Sequence, residues 1–540
     1  MKNKIVVTFV LLLLSGCGSY NDLDSEREAN VLVDKSSWYS NMTDDVLEVH
    51  VGIPVPNPSG YTLEDVDSDI DPYDDYEPEL NVQFSAADFL SDGLNATFRL
   101  RGKSTRNADQ KSYRIKLESE TNLWRSQQKI QLQKHPYDLT RMRNKLSFDL
   151  FRDIPDFASL RTQFVHLEIN GTDYGLYTHV ENVGKEYLLN RGLDKDDNLY
   201  KAQEFAFSYK DELALNSLGE PLDPEAFDTV VSIERGDEQT KLLEMINALE
   251  VHDFEVVFDR YFNRNNYLTW LAINILTGNQ DTNSQNFYLY NPLKSDKFFF
   301  LPWDYDGAWG FDRQPVNTQN GPYYARWQAG ISNWWNVSLH KKFLSSQQNR
   351  DDLDNMIQTI RQQYLSDSKI QERITVYKNL VKPYISSSTD LVYLPALASL
   401  DEDRILEWEA ELDLLPLRVE ENFQKYKDLL GSPMPFWQAA RYDQTTGVLR
   451  VNWDESIDLQ GDTVEYDLQV ADNVDFNNSI INLTGLSEIS YEQNVVLTSG
   501  TYYMKVISKE SNNSTHWQEA FDRVGINNRN YFGVFEFIVE

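Results

Sequence analysis

Along the first half of the chain, apolar and polar residues mostly alternate; in the second half they fall at spacings of three and four. Over residues 46–53, Leu47, Val49 and Val51 share one face while Val46, Glu48 and His50 share the other, the two-residue period of a half-buried strand. Residues 96–100 and 112–117 repeat the pattern on either side of a polar loop. Residues 164–169 and 174–180 flank Asn170-Gly171, which reads as a hairpin, and 199–201 reads as a further short strand. One helix is expected here, over 140–152, with Met142, Leu146, Leu150 and Phe151 in a stripe. From 239 onward helices dominate: 239–249, 267–276 with a stop at Gly278, 356–364, and a helix-rich 401–430. Short strands at 287–290 and 298–301 interrupt them. Gly431-Ser432-Pro433 breaks the helical pattern, and short strands at 449–453, 464–470, 480–483 and 502–506 follow. The expected class is α+β, a sheet-rich part joined to a helix-rich part, followed by an all-β sandwich over 433–540.

Charge and termini narrow the possibilities. With 85 acidic against 50 basic residues the net charge is −35, which argues against a nucleic-acid partner and against charge-driven binding to anionic lipid. Lys2 and Lys4 precede an apolar run over 5–14 that is too short to cross a bilayer. Leu14-Ser15-Gly16-Cys17 then resembles a bacterial lipobox, which implies a signal peptide over 1–16, lipidation of Cys17, and a polar tether over 17–44. Gly18 in place of Asp implies an outer-membrane or cell-surface lipoprotein, touching the membrane only through its anchor. Cys17 is the sole cysteine, so an internal disulfide, a Cys-based zinc site and a Cys nucleophile are excluded. Residues 64–79 hold nine acids and no base. Asp65, Asp67 and Asp69 imitate the start of a calcium loop, but its obligatory glycine is missing, and a solvated acidic loop is expected.

The chemistry concentrates at the join between the sheet-rich and helix-rich parts. Asp281-Thr-Asn-Ser-Gln-Asn286 separates an acid from an amide by four residues, and Pro302-Trp-Asp-Tyr-Asp-Gly307 sets two acids before a glycine. Phosphoryl transfer wants such groups: a carboxylate to orient an incoming hydroxyl, and hard oxygens to hold magnesium across the phosphates. Asp281 suits the first role; Asn286 with Asp304 or Asp306 suits the second. Arg101-Gly-Lys-Ser-Thr-Arg106 is a basic glycine-bearing loop whose amides, hydroxyls and guanidinium groups suit phosphate, with Arg101, Ser104 and Arg106 as contacts. Beyond it, Ser112, Arg114 and Lys116 fall on one strand face. A nucleotide-facing cation is expected there, with Lys116 favoured over Lys111. Gly-x-Gly-x-x-Gly is absent from the chain, which is therefore not an ordinary protein kinase sequence.

Taken together these pieces resemble the CotH kinase-like proteins. The matching stretches are Leu100 to Arg106, Lys111 to Leu117, Arg143 to Leu146, Ile169 to Tyr177 with Glu181, Leu199 to Lys201, Asp281 to Tyr290, and Pro302 to Gly307. The resemblance covers about residues 45–430 and implies a diverged two-lobe protein-kinase fold using ATP and Mg2+ (or Mn2+) to phosphorylate protein hydroxyls. It implies that Asp281 is catalytic, that an acid of the Trp303 to Asp306 string binds metal, and that the hairpin through Tyr177 and Glu181 joins the lobes near adenine. Lys103 departs from the family, which often has Asn or a small residue there. Strand-borne Trp453 and the run Leu497 to Tyr503, with its expected tyrosine corner, resemble a fibronectin type III module. The expected function is a lipid-anchored protein kinase with an unidentified protein substrate. The alternatives are an inactive kinase-fold scaffold and a metal-dependent phosphoester hydrolase, the latter disfavoured by only seven scattered His.

Overall fold

The computed structural model describes residues 44–72, 75–155, 157–237 and 239–540. The expected signal segment, Cys17 and nearly all of the tether lie outside them. Strand β1 (Val46–Gly52) is followed by helix α1 (Leu63–Ser68), then β2 (Leu80–Ala86), β3 (Ala96–Arg101), β4 (Ser112–Leu117) and β5 (Lys129–Gln133). Helix α2 (Arg143–Phe151) and the hairpin β6 (Thr162–Ile169) and β7 (Thr172–Val180) complete this part. The seven strands close into a barrel in the order β1-β2-β3-β4-β5-β7-β6, with β1 parallel to β6 and the other neighbours antiparallel. The alternating positions point inward as their period requires, and Val49, Val51, Phe84, Phe98, Ile115, Leu132 and Leu167 form one buried cluster.

Beyond the barrel, β8 (Asn198–Ala202), β9 (Val231–Arg235), β10 (Phe287–Asn291) and β11 (Phe299–Pro302) make a small sheet in the order β11-β10-β8-β9. Helices α3 (Thr240–Val251), α4 (Phe254–Tyr261) and α5 (Arg264–Thr277) come before β10; α6 (Gln347–Gln363), α7 (Asp367–Ile385), α8 (Asp401–Leu414) and α9 (Arg418–Leu430) come after β11. Helix α5 is buried on every side from Asn266 to Thr277, with Trp270 packed against Phe300 at 4.4 Å between ring centres. It stops where the sequence pattern places its end. Gly278 adopts a left-handed conformation (φ 66°), and a Cβ there would stand 2.7 Å from the Asn422 amide nitrogen.

The last part is all β. Strands β12 (Gln438–Asp443), β13 (Val448–Trp453), β14 (Val464–Ala471), β15 (Ile481–Leu486), β16 (Ser490–Asn494), β17 (Gly500–Glu510) and β18 (Trp517–Glu519) lead to the hairpin β19 (Arg523–Ile526) and β20 (Arg529–Phe532), and to β21 (Val534–Val539). A β12-β13-β16 sheet and a sheet built on β14 and β17 share a core containing Trp453, Tyr466, Leu468, Met504 and Val506. The Tyr502 hydroxyl donates to the Thr498 carbonyl at 2.9 Å and accepts the Thr498 N–H at 3.1 Å, the hydrogen bonding of a tyrosine corner.

Several elements differ from the sequence expectation. The acidic stretch is not wholly a solvated loop. Thr62 and Asp65 form a capping box that starts α1, Asp67 accepts the Tyr113 hydroxyl at 2.8 Å, and Asp69 is 4% exposed and paired with Arg106 at 2.6 Å. Strand β5 alternates polar and apolar residues (Lys129-Ile-Gln-Leu-Gln133), a period the sequence reading passed over, and it buries Gln131 and Gln133 as well as Ile130 and Leu132. Helix α7 likewise carries a legible stripe, at Ile370, Ile374, Tyr377, Val381 and Ile385, that the sequence reading passed over. Residues 401–430 are two helices, separated by a turn at Pro416.

Candidate active site

Several chain segments run to one place between the barrel and the helical part. Arg101 ends β3 and Ser112 begins β4, and the two are cross-strand partners. Strand β5 ends at Gln133 and leads into His135. Lys201 lies on β8, opposite Tyr288 of β10. The turn after α5 carries Asp281 and Asn286, and the loop after β11 carries Asp304 and Asp306. All of these except Tyr288 line one cavity of about 700 Å³, together with Lys103, Ser104, Gln203, Trp303, Tyr323 and Tyr324.

Neighbouring elements fix the acidic loops. The Asn266 amide of α5 brackets β11, its Oδ1 accepting Phe300 N–H at 2.7 Å and its Nδ2 donating to Phe300 O at 3.0 Å. Tyr305 N–H donates to Asn144 Oδ1 at 3.0 Å, Trp309 N–H to Thr277 O at 2.7 Å, and the Trp309 indole to Ser147 Oγ at 2.7 Å. Helices α2 and α5 thus hold residues 303–309 from two sides. His135, Asn286, Asp304 and Trp309 all have positive φ, between 50° and 58°. Such backbone costs about 1 kcal/mol or more per residue and persists where surrounding contacts over-determine it. Three of the four line one cavity, and together they indicate a shape held against local preference.

The charges are held in tension. Asp304 is half-buried in the cavity wall; burial first, then the neighbouring Asp306 carboxylate, pushes its pKa up to about 8 against the pull of Lys201 and Arg101. Burial also works against Asp306, but His135, a hydrogen bond from Asp304 and the Arg101 charge outweigh it, and Asp306 is the member that stays ionised. His135 Nδ1 lies 3.3 Å from Asp306 Oδ2. The two acids therefore behave as a coupled pair sharing a proton. Asp281 is open to the cavity but surrounded by protein, and that dehydration raises its pKa, as does Asp306. It accepts hydrogen bonds from Gln285 and from Asn286 Nδ2, the latter at 2.9 Å. The Asn286 nitrogen is spent on Asp281, so its oxygen is the atom it offers elsewhere. Burial lowers the pKa of Lys201 and of Arg101, with Asp304 opposing in both cases. Lys201 also stands 5.6 Å from the centre of the Trp303 ring.

Of the residues singled out from sequence, the cavity gathers Asp281, Asn286, Asp304, Asp306, Arg101 and Ser104. Five others are placed elsewhere. Arg106 is buried, its Nη1 on Asp69 at 2.6 Å and its Nε on the Gly102 carbonyl at 2.9 Å. Lys111 donates to the Arg106 carbonyl at 2.6 Å and braces the same turn. Arg114 and Lys116 share the expected face with Ser112, but only Ser112 reaches the cavity. At about 3.4 Å per residue, Lys116 sits at the far end of the strand, exposed. Glu181 is wholly buried and bonded through both oxygens to Arg191, at 3.0 and 2.9 Å. The basic side chains that line the cavity with the acids, besides Arg101, include Lys201 and His135, which sequence reasoning missed. Lys201 had a signal, a lone cation in an otherwise apolar short strand; His135 follows β5, which was itself not recognised.

A family model described as CotH kinase protein matches residues 98–416, which include every cavity residue. Inner spore coat protein H of Bacillus subtilis (strain 168) is 29% identical over 230 residues, 41% of this chain and 60% of that protein. The chain thus spans about 60% of the length of that curated relative. Among solved structures, the Shewanella oneidensis MR-1 toxin–antitoxin complex of HipA, HipB and operator DNA aligns at 13% identity over 69% of this chain and 71% of that chain. Its TM-score is 0.24, too low to bear on the fold.

Proposed function

The chain belongs to the CotH kinase protein family, and on that premise we propose that it is an atypical two-lobed protein kinase. It transfers the γ-phosphoryl group of ATP to a Ser or Thr hydroxyl of a protein acceptor. The observation that carries this is the convergence of Asp281, Asn286, Asp304 and Asp306 with Arg101 and Lys201 on one cavity. The barrel then acts as the upper lobe and the helical part as the lower.

The donor set fits a divalent cation. Asp304 keeps a proton up to about pH 8 because its charge is penalised by burial and by Asp306, and a cation among these oxygens would lift that penalty. Two carboxylates and the Asn286 amide oxygen are the hard ligands magnesium or manganese prefers. The metal, when bound, neutralises charge on the β- and γ-phosphates. Arg101 and Lys201 sit where they can contact phosphate oxygens, each already drawn toward the same acids. His135 fixes Asp306 and keeps it ionised. Asp281, held by Gln285 and Asn286, orients the acceptor hydroxyl and takes up its proton; its raised pKa makes it a better base than a solvent carboxylate.

Lipid attachment at Cys17 would place this kinase at the cell envelope, and the C-terminal sandwich, which we read as fibronectin type III-like, would present it to a partner. The test is transfer of labelled γ-phosphate from ATP to the protein itself or to casein, with magnesium or manganese, beside Asp281→Asn and Asp306→Asn. Label that disappears in both variants while their thermal stability is kept supports the reading. No nucleotide binding by the folded wild type refutes it and favours a scaffold.

A further inference from the structure

The sandwich does not hang from the kinase-like part as a separate module. Phe521, which follows β18, and Met434, which precedes β12, belong to the same buried cluster as helix α5. Strand β18 itself meets the segment that forms one wall of the active cavity. Arg326 N–H donates to Glu519 Oε1 at 2.8 Å, Arg326 Nε donates to the Trp517 carbonyl at 2.9 Å, and the guanidinium lies 4.6 Å from the Trp517 ring centre. Trp327 packs edge-on against Phe521 at 5.1 Å. Gln518, wholly buried, donates to the buried Ser332 hydroxyl at 3.3 Å.

From this anchored segment two routes lead to Asp281. Tyr323 and Tyr324, a few residues before Arg326, line the cavity, with their rings 4.9 Å apart and Tyr323 braced on Phe311 at 5.9 Å. On the other side, Asn333 follows Ser332. Its Nδ2 donates to the Gln280 carbonyl at 3.0 Å, and its own carbonyl accepts from Asn283 Nδ2 at 3.1 Å. Gln280 and Asn283 flank Asp281 on both sides in the same turn. Hydrogen bonds on either side of the Ser332–Asn333 peptide link therefore connect β18 of the sandwich to the turn that presents Asp281.

We infer that strand β18 of the C-terminal sandwich is a positioning element of the active cavity, holding both the Tyr323–Tyr324 wall and the Asp281 turn in the arrangement that receives the acceptor. Arg326 and Glu519 are positioning residues, since neither touches the reacting atoms. The inference rests on the kinase reading for its chemistry. The mechanical link can be measured without it.

The experiment compares full-length Glu519→Ala, Arg326→Ala and Glu519→Gln by hydrogen exchange, by nucleotide affinity, and by casein phosphorylation as a function of casein concentration. Glu519→Gln keeps an oxygen for the Arg326 N–H and serves as the conservative rescue. Glu519→Ala leaves the Arg326 backbone N–H without its acceptor, and Arg326→Ala removes the Nε bond to the Trp517 carbonyl and the stacking on its ring; each is expected to speed exchange in residues 279–286 and 321–333 by roughly tenfold, with the barrel strands unchanged. KM for casein should rise by a similar factor while ATP affinity stays at the wild-type value, and Glu519→Gln should behave as wild type. Unchanged exchange at residues 279–286 in both alanine variants would overturn the link. If exchange responds but the wild type neither binds nor uses ATP, the kinase reading fails and the link stands. Protection lost throughout Glu519→Ala would leave Arg326→Ala, a partly exposed side chain, to decide.

Discussion

Replacing Glu181 by Ala should damage folding rather than nucleotide binding. Glu181 is 0% exposed and Arg191 1% exposed. Two charged hydrogen bonds join them, at 3.0 and 2.9 Å, and a third runs from the Arg161 N–H to Glu181 at 3.1 Å. Arg191 also donates to Ser159 O at 2.6 Å and stacks 3.6 Å from the Tyr187 ring centre, so it cannot swing out to water without breaking packing. Removing one partner of such a buried pair costs about 3–5 kcal/mol, because the remaining charge is left uncompensated. No solvent screening reduces that figure at this depth. At roughly 2 °C per kcal/mol for a large folding unit, Tm should fall by about 6–10 °C. Thermal unfolding by circular dichroism measures it, with ATP affinity of the folded protein titrated in parallel at low temperature. The double variant Glu181→Gln, Arg191→Met should recover most of the loss, since Gln still accepts the Arg161 N–H and Met still packs on Tyr187. A Glu181→Ala protein that melts like wild type but no longer binds ATP would refute this reasoning and return Glu181 to the adenine site.

Other predictions concern the cavity. Asp281→Asn should cut kcat by roughly 10²- to 10⁴-fold with ATP affinity retained, the range for loss of a positioned general base; single-turnover kinetics would separate the two. The metal-free protein should lose stability as pH rises from about 4 toward 8. Asp304 holds its proton up to about 8 in the folded state and gives it up near the ordinary carboxylate value when unfolded, so the folded state binds more protons in that window. Asp304→Asn should flatten this slope, and magnesium or manganese should restore wild-type stability more at pH 8 than at pH 5; denaturant titrations across pH would show both. Lys201→Met should weaken ATP binding by roughly 10- to 100-fold, the scale of one charge-assisted contact, measured by calorimetric titration. Lys116→Ala, at the exposed end of β4, should leave binding and transfer at wild-type levels, and a loss there would mean that the nucleotide extends along the barrel wall.

What the chain states by itself is local. Two-residue and three-to-four-residue periods are properties of neighbours, so the strands at 46–53 and 112–117, the hairpin around Asn170-Gly171 and the helix stopped at Gly278 could be read before any fold was known. The acids followed from the same kind of reading. Asp281 and Asn286 lie on one short turn, and Asp304 and Asp306 on another, so each pair is delivered together wherever its loop goes. The change from sheet to helix near residue 239 and the break at Gly431 were equally visible. Pairing across long separations was not. Arg106 lies in a basic loop that looks made for phosphate, but Asp69, 37 positions earlier, takes its charge. His135 acquires its role only because the barrel brings it to Asp306, 171 positions later. The two-residue period put Ser112, Arg114 and Lys116 on one face correctly, yet it carries no information about which end of a strand abuts the helical part, and the cavity lies at the Ser112 end. The physical reason is the range of the forces. Backbone periodicity and turn chemistry act over a few residues. Burial and Coulomb attraction act through space, and they select partners only once the barrel, the helices and the sandwich have closed on one another.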